Sequence, residues 1–489
     1  MINASLQQQL TNPSLLSDQA FIGGHGCLSY DQCEIDVLNP SNGQVIASVP
    51  DLSDVQVEES IQIAEQAWLL WRNVAATERS DVLMKWYQLM LDNQDDLALI
   101  MTWEQGKPLA EAKGEIVYAA SFIKWFAQEA RRITGDTLAN PSADRRLMTI
   151  KQPVGVCAAI TPWNFPAAMI TRKCAPAIAA GCSIIVKPAD LTPLSALALG
   201  GLSREAGMPD GLFNVITGDA PRVGKILTES EVVRKITFTG STRVGSLLMA
   251  QSAPTVKGLS LELGGNAPFI VFEDADIDQA VDALMTSKFR NAGQTCVCAN
   301  RVLVHDALYD EFSKALQASV ARLNVGDGLE EGVTIGPLIN SAAVQKVKRH
   351  IDDALAKGAK IILGEIPDRD SQFVTPTILG DVTTDMVVAQ EETFGPVAPL
   401  FRFCSEAQAI EIANSTPFGL GAYYFTQNLQ RAWRVGEALE FGMVGLNTGI
   451  ISMDAAPFGG VKRSGLGREG SHLGIDEYLE VKTWHMGGF

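Results

Sequence analysis

Residues 234–245 read RKITFTGSTRVG, a β-branched and aromatic run that stops at Gly240 and reopens as a polar, helix-compatible stretch. Such a run, closing on glycine and restarting on Ser241 or Thr242, both good N-cap residues, is a strand, a turn and a helix start. The rhythm repeats around it: VGVCAAI at 154–160, SIIVK at 183–187 and LFNVI at 212–216 are short apolar runs separated by helical segments. Apolar strands alternating with helices describe a parallel sheet covered on both faces. A second alternation follows, with APFIVF at 267–272, a helix near 276–292, RVLVH at 301–305 and a helix near 307–322. The expected fold class is α/β, with two open-sheet domains in series and the change of sheet somewhere in 258–266.

Upstream, residues 55–131 have a helical period. Ile61, Ala64, Trp68 and Trp71 recur at three- and four-residue steps, as do Ile116, Ala119, Ile123 and Phe126. Between about 135 and 152 the chain turns polar, and Arg145-Arg146 precede the alternating LMTIKQPV. That composition fits a hairpin leaving the domain.

A chain of 489 residues with 46% hydrophobic and 19% charged side chains can bury large cores and suits two or three units. Its net charge of −17 argues against a nucleic-acid partner and against anionic membrane surfaces, which both select clustered Lys and Arg. A few buried Arg residues can still bind a small carboxylate or phosphate. MINASLQQQLTNPSLL lacks the basic and apolar regions of a signal peptide, and no long apolar stretch spans a bilayer, so a cytoplasmic location is expected. Eight cysteines include no C-x-x-C pair, and five histidines include no H-E-x-x-H, so no metal site is expected.

Two strand ends carry phosphate-site character, because helix N-termini at the carboxyl edge of a parallel sheet present unpaired N–H groups. One is Thr239-Gly240-Ser241. The other is Lys187-Pro188-Ala189-Asp190-Leu191-Thr192-Pro193, where Thr192 reads as an N-cap and Pro193 as the first helical residue. Neither is G-x-G-x-x-G, and a glycine there is often only a turn. Lys187 can reach a ribose or phosphate, or meet solvent. Asp190 can accept ribose hydroxyls and repel a 2′-phosphate, which leans toward NAD.

The chemical residues are ambiguous one by one. Cys296, in FRNAGQTCVC at 289–298, is either a nucleophile carried on a glycine turn or a buried core thiol. Glu262, between leucines in LELGG, is a general base with a burial-raised pKa or one half of an ion pair. Asn164 in PWNFP donates to an oxyanion or closes a turn. EETFGP adds the carboxylate of Glu392 and the ring of Phe394.

Taken together, PWNFP, KPA, FTGST, LELGG, GQTC, EETFGP and PFGGVKRSGLGREG occur in one order over nearly the whole chain. In this the sequence strongly resembles the aldehyde dehydrogenase superfamily. The resemblance implies a Rossmann-like dinucleotide-binding domain from 1–132 and 153–260. It further implies a catalytic domain from 261–470, and a small β oligomerisation arm from 133–152 and 471–489 that makes a homo-oligomer, dimer or tetramer. It implies Cys296 as nucleophile, Glu262 as general base, and Asn164 with the Cys296 backbone N–H as oxyanion donors. Lys187 and Glu392 would hold the nicotinamide-side and adenosine-side riboses between them, with Trp163, Asp190, Gly240, Ser241 and Phe394 completing an NAD or NADP pocket.

ITRK after PWNFP, FRNAGQTCVCANR and NTGIIS look like the succinate-semialdehyde branch, which implies Arg172, Arg290 and Ser452 as the receptor for the distal carboxylate of a semialdehyde substrate. Both arginines have the alternative of structural ion pairs. Glutarate semialdehyde, one methylene longer, differs by only about 1–3 kcal/mol in such a site. Coenzyme A acylation and a non-catalytic relative are the remaining readings; Glu262 favours water over a thiol acceptor, and the triple of Cys296, Glu262 and Asn164 speaks for catalysis. Cofactor choice stays open, because NADP-using relatives often carry a small polar residue in place of Asp190. Cys298 is a pocket-lining thiol or, as in some relatives, a redox partner of Cys296.

Overall fold

In a computed structural model that describes residues 2–488, the RKITF run is the strand Val233–Thr239, inside an eight-stranded sheet. Its parallel core runs, in spatial order, Phe213–Val215, Ser183–Lys187, Val156–Ile160, Val233–Thr239 and Gly258–Glu262. Ala20–Ile22 and Gly465–Leu466 pair antiparallel at its two sides. From Val156–Ile160 the chain first builds outward one way, then returns to add Val233–Thr239 on the other side. This is the topological switch point, where the crevice of an open α/β sheet forms.

The second sheet has seven strands, in the order Lys360–Leu363, Thr377–Gly380, Val397–Phe403, Ala299–His305, Ala267–Val271, Gly421–Phe425 and Met443–Leu446. All its pairs are parallel except the first. The sheet changes between Glu262 and Ala267, so Gly258–Glu262 runs through the 260/261 division, and Gly465–Leu466 returns to the first sheet. Each sheet buries its own core, with Ile184, Val186, Phe122 and Phe126 in one and Phe269, Val302, Leu400 and Tyr423 in the other.

The helical stretch resolves into Asp54–Trp71, Ala76–Asp92, Gln94–Gln105 and Leu109–Glu129. Ser53 and Gln56 form a capping box on the first, satisfying two N–H groups that would otherwise be orphaned. One cap differs from expectation. The helix Leu194–Glu205 has Pro193 at its N-cap, and Thr192 does not cap it. Instead the buried Glu104 accepts from Leu194 N and Ser195 N at 2.7 and 2.8 Å. Its two oxygens serve two N–H groups of the helix start, where a single hydroxyl would serve one.

Arg145–Pro153 and Leu479–Gly487 pair antiparallel, with Thr137–Leu138 on the far side of the former, as a three-stranded arm. Met1 and Phe489, the outer ends of the expected cofactor domain and arm, lie outside the described residues. Among the described residues no helix is long and apolar enough to cross a membrane, and no group of three or more His, Cys, Asp or Glu is arranged to hold a metal.

Candidate active site

At the switch point, strand Val156–Ile160 leads into the PWNFP turn and Val233–Thr239 into Gly240, whose N–H donates to Glu262 O at 3.0 Å. Ser241 caps the helix Thr242–Ser252 by accepting from Val244 N at 3.3 Å, a contact worth about 1 kcal/mol. Glu262 is the last residue of Gly258–Glu262, and the two glycines after it let the nucleophile loop approach. A Cβ on Gly265 would stand 2.5 Å from the carbonyl oxygen of Cys296.

The loop that carries Cys296 is strained. The helix expected to reach residue 292 ends at Lys288, and Asn291, Ala292 and Gly293 then take φ of 51°, 54° and 73°. Left-handed backbone costs a residue with a Cβ roughly 1–2 kcal/mol. Hydrogen bonds offset it: Asn291 N donates to Glu111 at 2.8 Å, its Oδ1 accepts from Gln105 Nε2 at 3.0 Å, and its Nδ2 donates to Asn164 O at 2.9 Å.

These elements bring Trp163, Asn164, Gly240, Ser241, Cys296, Glu392 and Phe394 to one cleft of about 210 Å³. Trp163 and Phe394 meet edge to face, 5.7 Å between centroids. Asn164 is 5% exposed, and its Nδ2 donates to Gln294 O at 2.9 Å. A wider groove between Tyr30, Glu59 and Glu229 holds no thiol, so the chemistry belongs to the smaller cleft.

Burial dominates the electrostatics. It pushes the Cys296 thiol up to about 12, with Arg172 opposing and Glu392 and Glu262 adding to the rise. Glu262 is 3% exposed and lies well above the ordinary carboxylate range, first from desolvation and then from the negative charge of Glu469. Its Oε2 has no hydrogen-bond partner among the described residues. Glu392 is raised to about 7 by burial while accepting from Gly265 N at 3.1 Å.

The residues expected to bind substrate and cofactor are only partly free. Arg172, buried and stacked 3.9 Å from the Phe458 centroid, pairs with Glu469 at 2.6 Å, which is the structural ion pair that its sequence context allowed. Its Nε has no hydrogen-bond partner among the described residues. Arg290 and Ser452 line a second, narrow cavity with Tyr423, and Arg290 lies 5.2 Å from the Phe165 centroid. Lys187 is buried, not solvated; its ammonium pairs with Asp190 and donates to Pro188 O at 2.8 Å. Cys298 does not line the cleft: it is 7% exposed, with its thiol on Lys288 O at 3.5 Å, because the turn after Cys296 rotates it into the core.

Three neighbours had no assigned role. Tyr118 has its hydroxyl raised by burial, with the charges of Arg172 and Arg290 opposing the rise. Glu469 takes both Arg172 and Lys173, and Lys173 also donates to Thr239 Oγ1 at 2.7 Å. Glu469 and Lys173 sit inside quoted motifs, REG and ITRK, so charged residues in those motifs were the available signal. Tyr118 lies in a helix that read only as amphipathic.

An opening at the switch point of a Rossmann-like sheet suits a dinucleotide, and the Cys296 thiol and Asn164 carboxamide in that opening suit a carbonyl, with Glu262 buried behind its lining. The combination defines a nicotinamide-dependent oxidoreductase. The chain belongs to the aldehyde dehydrogenase family, whose profile matches residues 28–484. It is 57% identical over 480 residues to the NADP(+) succinate-semialdehyde dehydrogenase GabD of Escherichia coli (strain K12), covering 98% of this chain and 100% of that one. It is 55% identical over 481 residues to a glutarate-semialdehyde dehydrogenase of Pseudomonas aeruginosa, covering 98% and 100%. The crystal structure of succinate-semialdehyde dehydrogenase from Burkholderia pseudomallei superposes with a TM-score of 0.97 at 56% identity, over 98% of this chain and 100% of that one.

Proposed function

We propose that the chain oxidises succinate semialdehyde to succinate with reduction of NAD or NADP, through a thiohemiacetal and then a thioester on Cys296. The observation that carries this is the sharing of one cleft by Cys296, Asn164 and Glu392 at the switch point of the sheet. Cys296 first gives up its thiol proton to solvent, and its Sγ, as thiolate, then adds to the aldehyde carbon. The Asn164 amide and the Cys296 backbone N–H stabilise the oxyanion, a contribution on the order of 3 kcal/mol per donor. When bound, the dinucleotide supplies the acceptor for the hydride leaving the thiohemiacetal carbon. Glu262, with its unpartnered oxygen, takes the proton of the water that attacks the thioester, and succinate and the free thiol result.

The donor set fits the dinucleotide. The Ser241-capped helix start would meet a pyrophosphate, while Glu392, in the cleft with Cys296, and the Lys187 and Asp190 pair, outside that cleft, would hold the two riboses between them. In this reading the cofactor domain comprises 1–132 and 153–262, the catalytic domain follows, and the arm, 133–152 with 471–489, joins subunits of a homo-oligomer. A cytoplasmic location remains part of the reading.

Arg290 and Ser452, with the unpartnered Nε of Arg172, receive the distal carboxylate. Glutarate semialdehyde is the second reading, favoured by the relative that bears its name. The test is absorbance of reduced cofactor with each semialdehyde and with butanal. Arg290→Ala should raise KM for the semialdehydes by at least about tenfold and leave butanal nearly unchanged. Equal effects on charged and uncharged aldehydes would remove carboxylate recognition, and no reduction with any aldehyde would remove the activity.

A further inference from the structure

The PWNFP turn is gripped from below by a segment outside the cleft. Residues 105–115 span the short connection, 106–108, between the helices Gln94–Gln105 and Leu109–Glu129. Lys107 is 2% exposed, and its Nζ donates to Glu115 Oε2 at 2.5 Å and to Asn164 O at 2.8 Å, while lying 4.2 Å from the Phe165 centroid. The other oxygen of Glu115 accepts from Ala167 N and Ala168 N at 3.0 and 3.2 Å. Asn291, from the nucleophile loop, donates to the same Asn164 carbonyl at 2.9 Å. Gln105 and Glu111 hold Asn291 in turn.

A buried ion pair is a poor source of stability, since apolar residues of like volume often pack as well. What this pair does that an apolar pair cannot is donate a charged hydrogen bond to the backbone of Asn164 while fixing the start of the next helix. We infer that Lys107, locked by Glu115 and seconded by Asn291, is a positioning residue for Asn164. It holds the PWNFP turn against the loop of Cys296, so that amide and sulfur keep one register. Asn164 Nδ2 gives one N–H to Gln294 O, also in the nucleophile loop, which leaves the other for the cleft that Asn164 lines. The inference rests on the reading of Asn164 as oxyanion donor.

The experiment measures the single-turnover rate of cofactor reduction with saturating succinate semialdehyde, on the full-length enzyme. The variants are Lys107→Met with Glu115→Gln, which removes both buried charges together, Asn291→Ala, and Asn164→Ala, alone and in combination. A misplacement near 1 Å can cost about 100-fold, so a loss of roughly 10- to 100-fold is expected from the Lys107/Glu115 variant, with cofactor KM held within about twofold. Added to Asn164→Ala, it should cost nothing further, because it acts through that amide. An unchanged rate, a cofactor KM that rises in step, or losses that multiply with Asn164→Ala would each overturn the inference. If Asn164→Ala alone leaves the rate intact, the oxyanion reading falls first and the clamp with it. Should the charge variant fail to fold, Glu115→Gln alone decides, since it unlocks Lys107 while keeping an acceptor for Ala167 and Ala168, and an unchanged rate in it would overturn the inference.

Discussion

Glu262 shows at the scale of one residue how burial sets reactivity. A base works ionised, and this carboxyl is held far above its ordinary range by desolvation and by Glu469. Thioester hydrolysis should therefore rise with pH above the ordinary carboxylate range and fall on the acid side. Glu469→Gln removes a like charge and releases Arg172 and Lys173, and both changes lower the Glu262 pKa. The acid limb of the hydrolysis rate should move to lower pH, as read from acyl-enzyme decay; a shift upward would show that Glu469 acts in some other way. Glu262→Gln should keep the first burst of reduced cofactor and slow the following turnover at least about 100-fold, whereas retained steady-state activity would place the base elsewhere. Asp190 bears on the cofactor. On the proposed reading its carboxylate would repel a 2′-phosphate, and its pairing with Lys187 would blunt that repulsion. Asp190→Ser should raise the NADP-to-NAD ratio of kcat/KM by about tenfold or more, a change of roughly 1.4 kcal/mol; an unchanged ratio would detach Asp190 from the ribose.

Helix starts matter at the next scale. Glu104 sits on one helix and caps another, Leu194–Glu205, directly after the 187–193 segment. Burial raises its carboxyl from 4.5 to about 8, although Ser195 and Leu194 oppose the rise. Between those values the unfolded chain has lost this proton and the folded chain retains it, so this group makes stability fall as pH rises, by at most about 1.4 kcal/mol per pH unit, and flat above. Glu104→Gln should flatten that slope in urea unfolding while keeping one acceptor for the helix start. Glu104→Ala should lose about 1–3 kcal/mol and raise the cofactor KM, because two buried N–H groups are then unpartnered at the end of the cofactor segment. A slope that persists in Glu104→Gln would assign it to other groups.

For the whole molecule, the arm is the exposed feature. Leu479–Gly487 is an edge strand, and Val481 and Trp484 are 64% and 50% exposed on it. An uncovered edge with large apolar side chains invites pairing with another chain. This fits a subunit contact. Val481→Glu combined with Trp484→Glu should reduce the mass found by sedimentation velocity, with the fold retained by circular dichroism. An unchanged mass would move the contact away from this strand.

Strand runs such as SIIVK and RKITF, and the order of PWNFP, LELGG and GQTC, were legible in the chain itself, because a period of two or 3.6 and a motif are properties of neighbours in sequence. That was enough to determine the alternating α/β class and to name Cys296, Glu262 and Asn164. Which charges meet was decided only in the tertiary structure. Arg172 finds Glu469 across 297 positions, Ser195 finds Glu104 across 91, and Asn164 finds Lys107 across 57. The physical reason is desolvation: a buried charge must be paired wherever the folded chain brings a partner, and no local pattern encodes which partner that is. Likewise Glu104, remote in sequence, made Thr192 a bystander, and the turn after Cys296 put Cys298 in the core.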